Sequence, residues 1–140
     1  MKAITTGIIG CGPRGNAHAK AAQQGGALRV KYVCDIRRER LEQAAADWSA
    51  EAVKDYRRIL SDPEIEAVNI VTDVANHLNI VRDALAAGKH VICEKPFGDN
   101  IGVARELTTL AADTDRVTYI SFQLRFAGSF AAMKDACEEI

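Results

Sequence analysis

The sequence lacks any strong excess of charge, because 18 lysines and arginines face 19 aspartates and glutamates. Nucleic acids and anionic membranes bind surfaces with clustered excess Lys and Arg, so small molecules or other subunits are the expected partners. The apolar run near the N-terminus is interrupted by Gly7 and Gly10 and is too short for a signal peptide or a membrane span. We therefore expect a cytoplasmic protein that binds neither nucleic acid nor membrane.

Paired cysteines are also absent, since none of the four cysteines belongs to a C-x-x-C motif. This argues against a zinc site or a thioredoxin-type centre, and we predict no metal. Cys34 and Cys93 end apolar segments and are predicted to be buried small hydrophobic residues. Cys11 lies at a predicted helix start, which can lower a thiol pKa, so it is either a reactive thiolate or, as we favour, a spacer in the turn.

Apolar segments alternate with helical patterns along the whole chain, which indicates βαβ units and a parallel sheet. The predicted strands cover residues 2–9, 28–34, 67–71, 90–93 and 117–122. A chain of 140 residues is long enough for one domain with a hydrophobic core but too short for two. We predict a single α/β domain over residues 1–122, with a Rossmann-type doubly wound and mainly parallel sheet.

Helical spacing of apolar residues predicts helices over residues 41–48, 78–85 and 103–111, and a short helix is predicted over 56–60. Gly88 is expected to end the second of these, and Asn100 is a suitable N-cap for the third.

Residues 123–140 are predicted to be a connecting segment followed by the start of one more amphipathic helix. Phe130, Met133 and Cys137 form its apolar stripe, and Glu138 and Glu139 follow. Carboxylates oppose the dipole at a helix C-terminus, so we expect the helix to lead into a further, missing domain. A frayed natural terminus is the alternative.

The most informative motif is the turn at residues 10–15, with the sequence G-C-G-P-R-G, between a predicted strand and a predicted helix. In the G-x-G-x-x-G pattern the first glycine makes the turn, the second lets the backbone approach a pyrophosphate, and the third lets the helix pack on the strand. Asp35 follows the second strand, 20 residues after Gly15, where an acid reaches the adenosine ribose hydroxyls. A dinucleotide site is predicted; a glycine-rich turn in another α/β class, such as a methyltransferase, is the alternative.

The type of dinucleotide depends on the residues around Asp35. An acid there favours NAD through the free 2′-hydroxyl, whereas a nearby arginine can accommodate the 2′-phosphate of NADP. Arg37, Arg38 and Arg40 follow closely, although they also suit a solvated helix start. The cofactor is predicted to be NAD or NADP, with NAD favoured.

Three further segments carry a family resemblance: V-T-D-V-A-N-H at residues 71–77, G-K-H-V-I-C-E-K-P at 88–96 and S-F-Q-L-R-F at 121–126. With the first turn they make the chain resemble the Gfo/Idh/MocA family of oxidoreductases up to about Phe126. The resemblance implies a nicotinamide-dependent dehydrogenase or reductase acting on sugars, cyclitols or related polyols. It also implies a C-terminal α+β domain that is absent here, that would supply a catalytic histidine, and through which the protein would form homo-oligomers.

On this resemblance, the fragment alone is expected to be inactive. A non-catalytic dinucleotide-binding or redox-sensing module is the alternative function. Lys95 separates the two, because a binding module has no use for a cation beside the carbon that exchanges hydride.

The resemblance also implies roles for individual residues. Lys95 would point at the carbon that exchanges hydride, and it follows a parallel strand at the edge where open α/β sheets bind ligands. The predicted cofactor-binding residues are Gly10, Cys11, Gly12, Pro13, Arg14, Asp35, Arg37, Thr72, Asn76, His77, Glu94, Lys95, Gln123 and Arg125. His77 is either a ligand contact or a structural residue, and His18 and His90 are predicted to pack. Asp73 departs from the family pattern, which usually has proline there.

Overall fold

Six strands and six α-helices form the part of the chain that the computed structural model describes, residues 2–138. The strands are β1 (Ile4–Ile9), β2 (Leu28–Cys34), β3 (Glu51–Val53), β4 (Ala67–Ile70), β5 (His90–Glu94) and β6 (Thr118–Ser121). The helices are α1 (Pro13–Gly25), α2 (Arg38–Trp48), α3 (Arg57–Leu60), α4 (His77–Ala86), α5 (Ile101–Ala112) and α6 (Gly128–Glu138). Short 3₁₀ turns cover Val74–Asn76 and Gln123–Phe126.

All six strands run parallel in one sheet with the order β3-β2-β1-β4-β5-β6. The order reverses between β1 and β4, which is the switch point where open sheets of this type bind ligands beyond the strand ends. The predicted Rossmann-type α/β fold is confirmed. Strand β3 was not predicted, because three residues at a sheet edge are too few to show a period.

The core lies on both faces of the sheet, because neighbouring residues of a strand point to opposite sides. Ile9 belongs to a large cluster with residues of α3, α4 and α5, whereas Ile8 packs with Ala19 of α1 and Leu41 of α2. The burial of strands on both faces explains their nearly continuous apolar sequences.

Helix ends follow the predicted capping residues. The Asn100 side chain accepts a hydrogen bond from the Val103 N–H and starts α5. Gly88 has a positive φ of 71°, which lets the chain turn away after α4. Pro13 occupies the first turn of α1.

The predicted amphipathic stripe near the chain end is helical in α6, but Phe130 is 46% and Met133 is 56% exposed. Residues 139 and 140 lie outside the described residues, so the continuation of this helix stays a prediction. Among residues 2–138, no helix is long and apolar enough to cross a membrane.

Candidate cofactor and hydride-transfer site

The glycine turn between β1 and α1 needs glycine at two positions for steric reasons. Gly10 has a φ of 104°, and a Cβ added to it would lie 2.4 Å from the Val71 carbonyl oxygen. A Cβ on Gly15 would lie 1.9 Å from the Gly10 carbonyl oxygen. The backbone segments therefore pack against one another as the motif predicts.

Gly12 differs from these two glycines because a Cβ placed on it would meet no close backbone atom. The nearest atom to a Cβ placed there is Nη1 of Arg40, at 3.6 Å. The first N–H groups of α1 have no partner inside the helix, and a helix N-terminus stabilises an anion. The turn thus combines open space at Gly12 with the electrostatics that a pyrophosphate requires.

Asp35 connects this turn to the end of β2. Its Oδ2 accepts a hydrogen bond from the Cys11 N–H at 2.8 Å, and its Oδ1 accepts one from the Arg37 N–H at 2.8 Å. Each carboxylate oxygen can accept a further bond, so the group fits the two hydroxyls of a ribose. Arg37 is exposed, and Arg40 is the arginine that approaches Gly12.

The suggestion that Cys11 is a reactive thiolate is wrong. Burial and the neighbouring Asp35 carboxylate raise the pKa of Cys11 to about 12. A buried thiol with such a pKa is protonated near neutral pH and serves as a spacer. Cys34 and Cys93 are buried as predicted, and burial raises the pKa of each to about 12.

Glu94 ends β5 and is the most highly connected side chain at this edge of the sheet. It is 5% exposed, and its Oε1 lies 2.9 Å from His18 Nε2 and accepts a bond from Gln123 Nε2 at 3.1 Å. Its Oε2 accepts a bond from the Lys95 N–H at 3.1 Å. Burial raises the pKa of Glu94, but the bonds from His18 and the Lys95 N–H and the charges of His18 and Arg14 outweigh it, and the net pKa is lowered.

Lys95 itself is exposed, directly after buried Glu94, and a cis peptide bond joins it to Pro96. His77 supports this turn from below, because its Nδ1 lies 3.0 Å from the Pro96 carbonyl oxygen and its Nε2 lies 3.2 Å from that of Thr72. His77 is 1% exposed, so of its two interpretations the geometry favours the structural one.

The other predicted residues lie around this edge with different exposures. Thr72 is half-buried after β4, and Asn76 and Arg125 are exposed on the two 3₁₀ turns. Asp73, where the family usually has proline, has a φ of −63°. This value is the one that proline would impose, so the departure leaves the backbone of the turn unchanged.

The interpretation of His18 as a packed residue did not include its hydrogen-bonding partners. Its ring nitrogens face Glu94 Oε1 at 2.9 Å and Asn69 Oδ1 at 3.3 Å. His18 and Arg14 are four residues apart on α1 and share a helix face, which was the available indication. The prediction for His90 holds, since its Nδ1 accepts a bond from the Val117 N–H.

Comparison with known proteins agrees with this geometry. The model of the oxidoreductase family with the NAD-binding Rossmann fold, GFO_IDH_MocA, matches residues 4–122. Levoglucosan dehydrogenase of Pseudarthrobacter phenanthrenivorans is 31% identical in an alignment of 148 positions, gaps included, that covers 99% of this chain and 38% of that protein.

Two solved structures show the same architecture. Apo scyllo-inositol dehydrogenase from Lactobacillus casei superposes with a TM-score of 0.90 at 28% identity, over 99% of this chain and 42% of that one. A levoglucosan dehydrogenase in complex with NADH and levoglucosan superposes with a TM-score of 0.90 at 29% identity. The superposition covers 97% of this chain and 39% of that one. This chain thus spans about 40% of the length of these relatives. It belongs to the Gfo/Idh/MocA family of oxidoreductases and forms the family's NAD-binding Rossmann domain.

Proposed function

We propose that this domain serves a dehydrogenase or reductase that transfers hydride between NAD(P) and a hydroxyl or carbonyl group of a sugar, cyclitol or related polyol. One observation carries the proposal: exposed Lys95 follows buried Glu94 at the same sheet edge as the Gly10–Gly15 turn. A binding module needs the turn and Asp35, but it has no need of an exposed cation held beside them. The names of the relatives, inositol and levoglucosan dehydrogenases, support the substrate class.

The residues present fit a dinucleotide. The open space at Gly12, with Pro13 and Arg14 in the first turn of α1, would hold the pyrophosphate, and Asp35 would bind the adenosine ribose. The bound nicotinamide supplies the site that accepts or donates hydride.

Lys95 would move the proton that accompanies the hydride. When a substrate alcohol is oxidised, its hydroxyl proton must leave as hydride leaves the carbon, and the Lys95 amine is the base at this edge that can take it. In the reverse direction the ammonium group returns the proton to the carbonyl oxygen. Thr72, Asn76, Gln123 and Arg125 would surround the nicotinamide half of the cofactor and the mouth of the cleft, and buried His77 would support the backbone of Thr72 and Pro96 behind them.

We favour NAD over NADP because the Asp35 carboxylate would repel a 2′-phosphate and accept bonds from a free 2′-hydroxyl. Arg40 is the residue that could reverse this preference, because its guanidinium lies near Gly12.

Calorimetry tests cofactor binding directly. The chain should bind NADH more tightly than NADPH, and Asp35→Ala should weaken NADH binding by about 1–3 kcal/mol because a hydrogen-bonded partner is lost. Glu39→Ala, an exposed carboxylate on α2, is the matched control and should bind as the unmutated chain does. Neither heat nor thermal shift from the unmutated chain with saturating NADH or NADPH would refute the dinucleotide assignment.

Kinetics of the full-length oxidoreductase test the role of Lys95. Lys95→Ala should lower kcat by about 10² or more with nearly unchanged cofactor affinity, the size typical of losing a positioned proton donor or acceptor. Lys20→Ala, an exposed lysine on α1, is the control. If Lys95→Ala keeps its kcat and loses only NAD affinity, Lys95 is a binding residue.

A further inference from the structure

A continuous chain of polar side chains runs behind the proposed site, through the sheet to α1. Thr6 Oγ1 of β1 donates to the Ala67 carbonyl at 3.0 Å and accepts a bond from Asn69 Nδ2 of β4 at 3.0 Å. This arrangement turns the Asn69 amide oxygen towards His18 Nδ1, 3.3 Å away. The His18 ring therefore lies against the polar side chains of two buried strands, β1 and β4.

The other ring nitrogen of His18 meets Glu94. The His18 side chain is 15% exposed and that of Glu94 is 6%, so the contact is shielded from water on most sides. Glu94 accepts hydrogen bonds but donates none when ionised, so the proton between them is on His18 Nε2. Asn69 Oδ1 is also an acceptor, so a ring with its single proton on Nε2 bonds to Glu94 alone, and a bond to Asn69 needs a second proton on Nδ1. A hydrogen bond to a charged acceptor in such a place is stronger than one between neutral groups.

The contact joins two parts of the site that are 76 residues apart in sequence. His18 is on the helix that begins at the glycine turn, about 7.5 Å along its axis from Pro13 at a rise of 1.5 Å per residue. Glu94 directly precedes Lys95 and binds its N–H. A displacement of α1 relative to β5 would therefore separate the cofactor turn from the proposed proton carrier.

We propose that His18 is a positioning residue for hydride transfer, which holds the Glu94 carboxylate through Nε2–H and so fixes Lys95 and Gln123 relative to the cofactor turn. This inference rests on the function proposed above. The charged or titratable side chains that face Glu94 are His18 and Arg14 of α1, and Cys93 precedes it on β5. Gln123 faces it from the turn after β6 as a neutral donor.

Carboxyl-carbon NMR of the 140-residue chain tests the contact without any turnover. Loss of the donor in His18→Ala should raise the pKa of Glu94, and His18→Gln, which retains an N–H donor, should partly restore it. His90→Ala, at the opposite end of β5, is the matched control and should leave the Glu94 titration unchanged. An unchanged Glu94 titration in folded His18→Ala would overturn the inference.

Nitrogen NMR of the unmutated chain covers the case in which His18→Ala does not fold. The inference requires a proton on His18 Nε2 and a change in the Nε2 shift when Glu94 is replaced in Glu94→Gln. An unprotonated Nε2 at neutral pH would overturn it.

Kinetics of the full-length oxidoreductase separate the two proposals. His18→Ala should lower kcat about tenfold with little change in the KM for cofactor, and His18→Gln should recover part of the loss. If Lys95→Ala keeps the kcat of the unmutated enzyme, the proton-transfer role proposed for Lys95 fails, whatever His18 does. If Lys95→Ala is inactive while His18→Ala retains the kcat of the unmutated enzyme, only the positioning role fails.

Discussion

Two buried carboxylates occupy opposite edges of the sheet, and their surroundings differ. Asp62, just before β4, is 7% exposed, and its Oδ2 accepts bonds from Lys31 Nζ at 2.7 Å and Tyr32 OH at 2.9 Å. Its Oδ1 accepts the Glu64 N–H at 2.8 Å. Glu94, at the carboxyl ends of the strands, is equally buried and equally well bonded.

The difference lies in what each carboxylate holds in place. Around Asp62, buried Lys89 donates to the carbonyl oxygens of Asp62 and Ile65, which ties the starts of β4 and β5 together. Glu94 instead adjoins exposed Lys95, and its partners His18 and Gln123 help to line a groove of about 370 Å³. Similar hydrogen-bonding chemistry thus ties two strand starts together at one edge and lies next to an exposed lysine at the other.

The largest effect on stability is expected from Asp62→Asn. The amide nitrogen of Asn cannot accept the hydrogen bonds that Lys31 and Tyr32 donate to Asp62 Oδ2. The Lys31 ammonium also loses the charge of Asp62, which is more buried than its other partner, Glu64. Guanidinium unfolding should shift to clearly lower denaturant, while NADH affinity of the folded variant is retained. Glu64→Gln is the control, because this more exposed carboxylate contacts the same lysine at 2.9 Å and exposed ion pairs contribute little. Equal losses in the two variants would contradict the structural role of Asp62.

The difference between Asp62 and Glu94 should also appear in the loss of stability at acid pH. The hydrogen bond from Lys31 and the Glu64 N–H hold the pKa of Asp62 well below its usual range. The stabilisation is therefore complete above the unfolded-state pKa of about 3.9 and is lost as the pH falls through the folded-state value. Unfolding free energy measured from pH 6 downwards should decrease below about pH 4. Asp62→Asn should flatten that decrease more than Glu94→Gln does, and parallel curves for all three proteins would count against this account.

Glu94→Gln should lower the free energy of unfolding by about 1–3 kcal/mol, the usual cost of hydrogen bonds lost at a buried group. We expect this loss to be smaller than that of Asp62→Asn. The main effect of Glu94→Gln should be local. Backbone and side-chain NMR shifts of His18, Lys95 and Gln123 should change, whereas those of Lys31 and Tyr32 at the opposite edge should not. Shift changes spread evenly over both edges would show that the two clusters are not independent.

The smallest effect is expected in the labelling of the thiols, which reports on unfolding of the chain. Cys11, Cys34 and Cys93 are buried with raised pKa values, and Cys137 is exposed. A thiol reagent at pH 8 should label Cys137 quickly and the other three only on unfolding. Glu94→Gln should speed up the slow labelling, and Asp62→Asn, the more strongly destabilised variant, should speed it up further. Rapid labelling of Cys11 in the native chain would contradict its assignment as a spacer.

Local sequence was enough to predict the glycine turn, because its chemistry lies within six consecutive residues. Gly10 and Gly15 are required because a Cβ would clash with the backbone, and Gly12 leaves space beside the turn for a ligand. Local sequence was also enough for the parallel strands and for the Glu94-Lys95-Pro96 segment at a strand end. The short strand β3 could not be predicted, because its three residues pair with β2 only after the neighbouring strands have assembled. The role of Asp62 was also missed, because its partners come from β2 and from the turn that follows it.

By itself, the sequence determined the order of the longer strands and helices, the glycine turn and the residues available at the strand ends. These features depend on periodicity and on backbone sterics between near neighbours. Only the tertiary structure decided that His18 meets Glu94, that Asn69 orients the His18 ring and that Cys11 is an inert thiol. Such facts depend on which side chains the parallel sheet brings together from distant segments, and on the burial that follows, which no local pattern encodes.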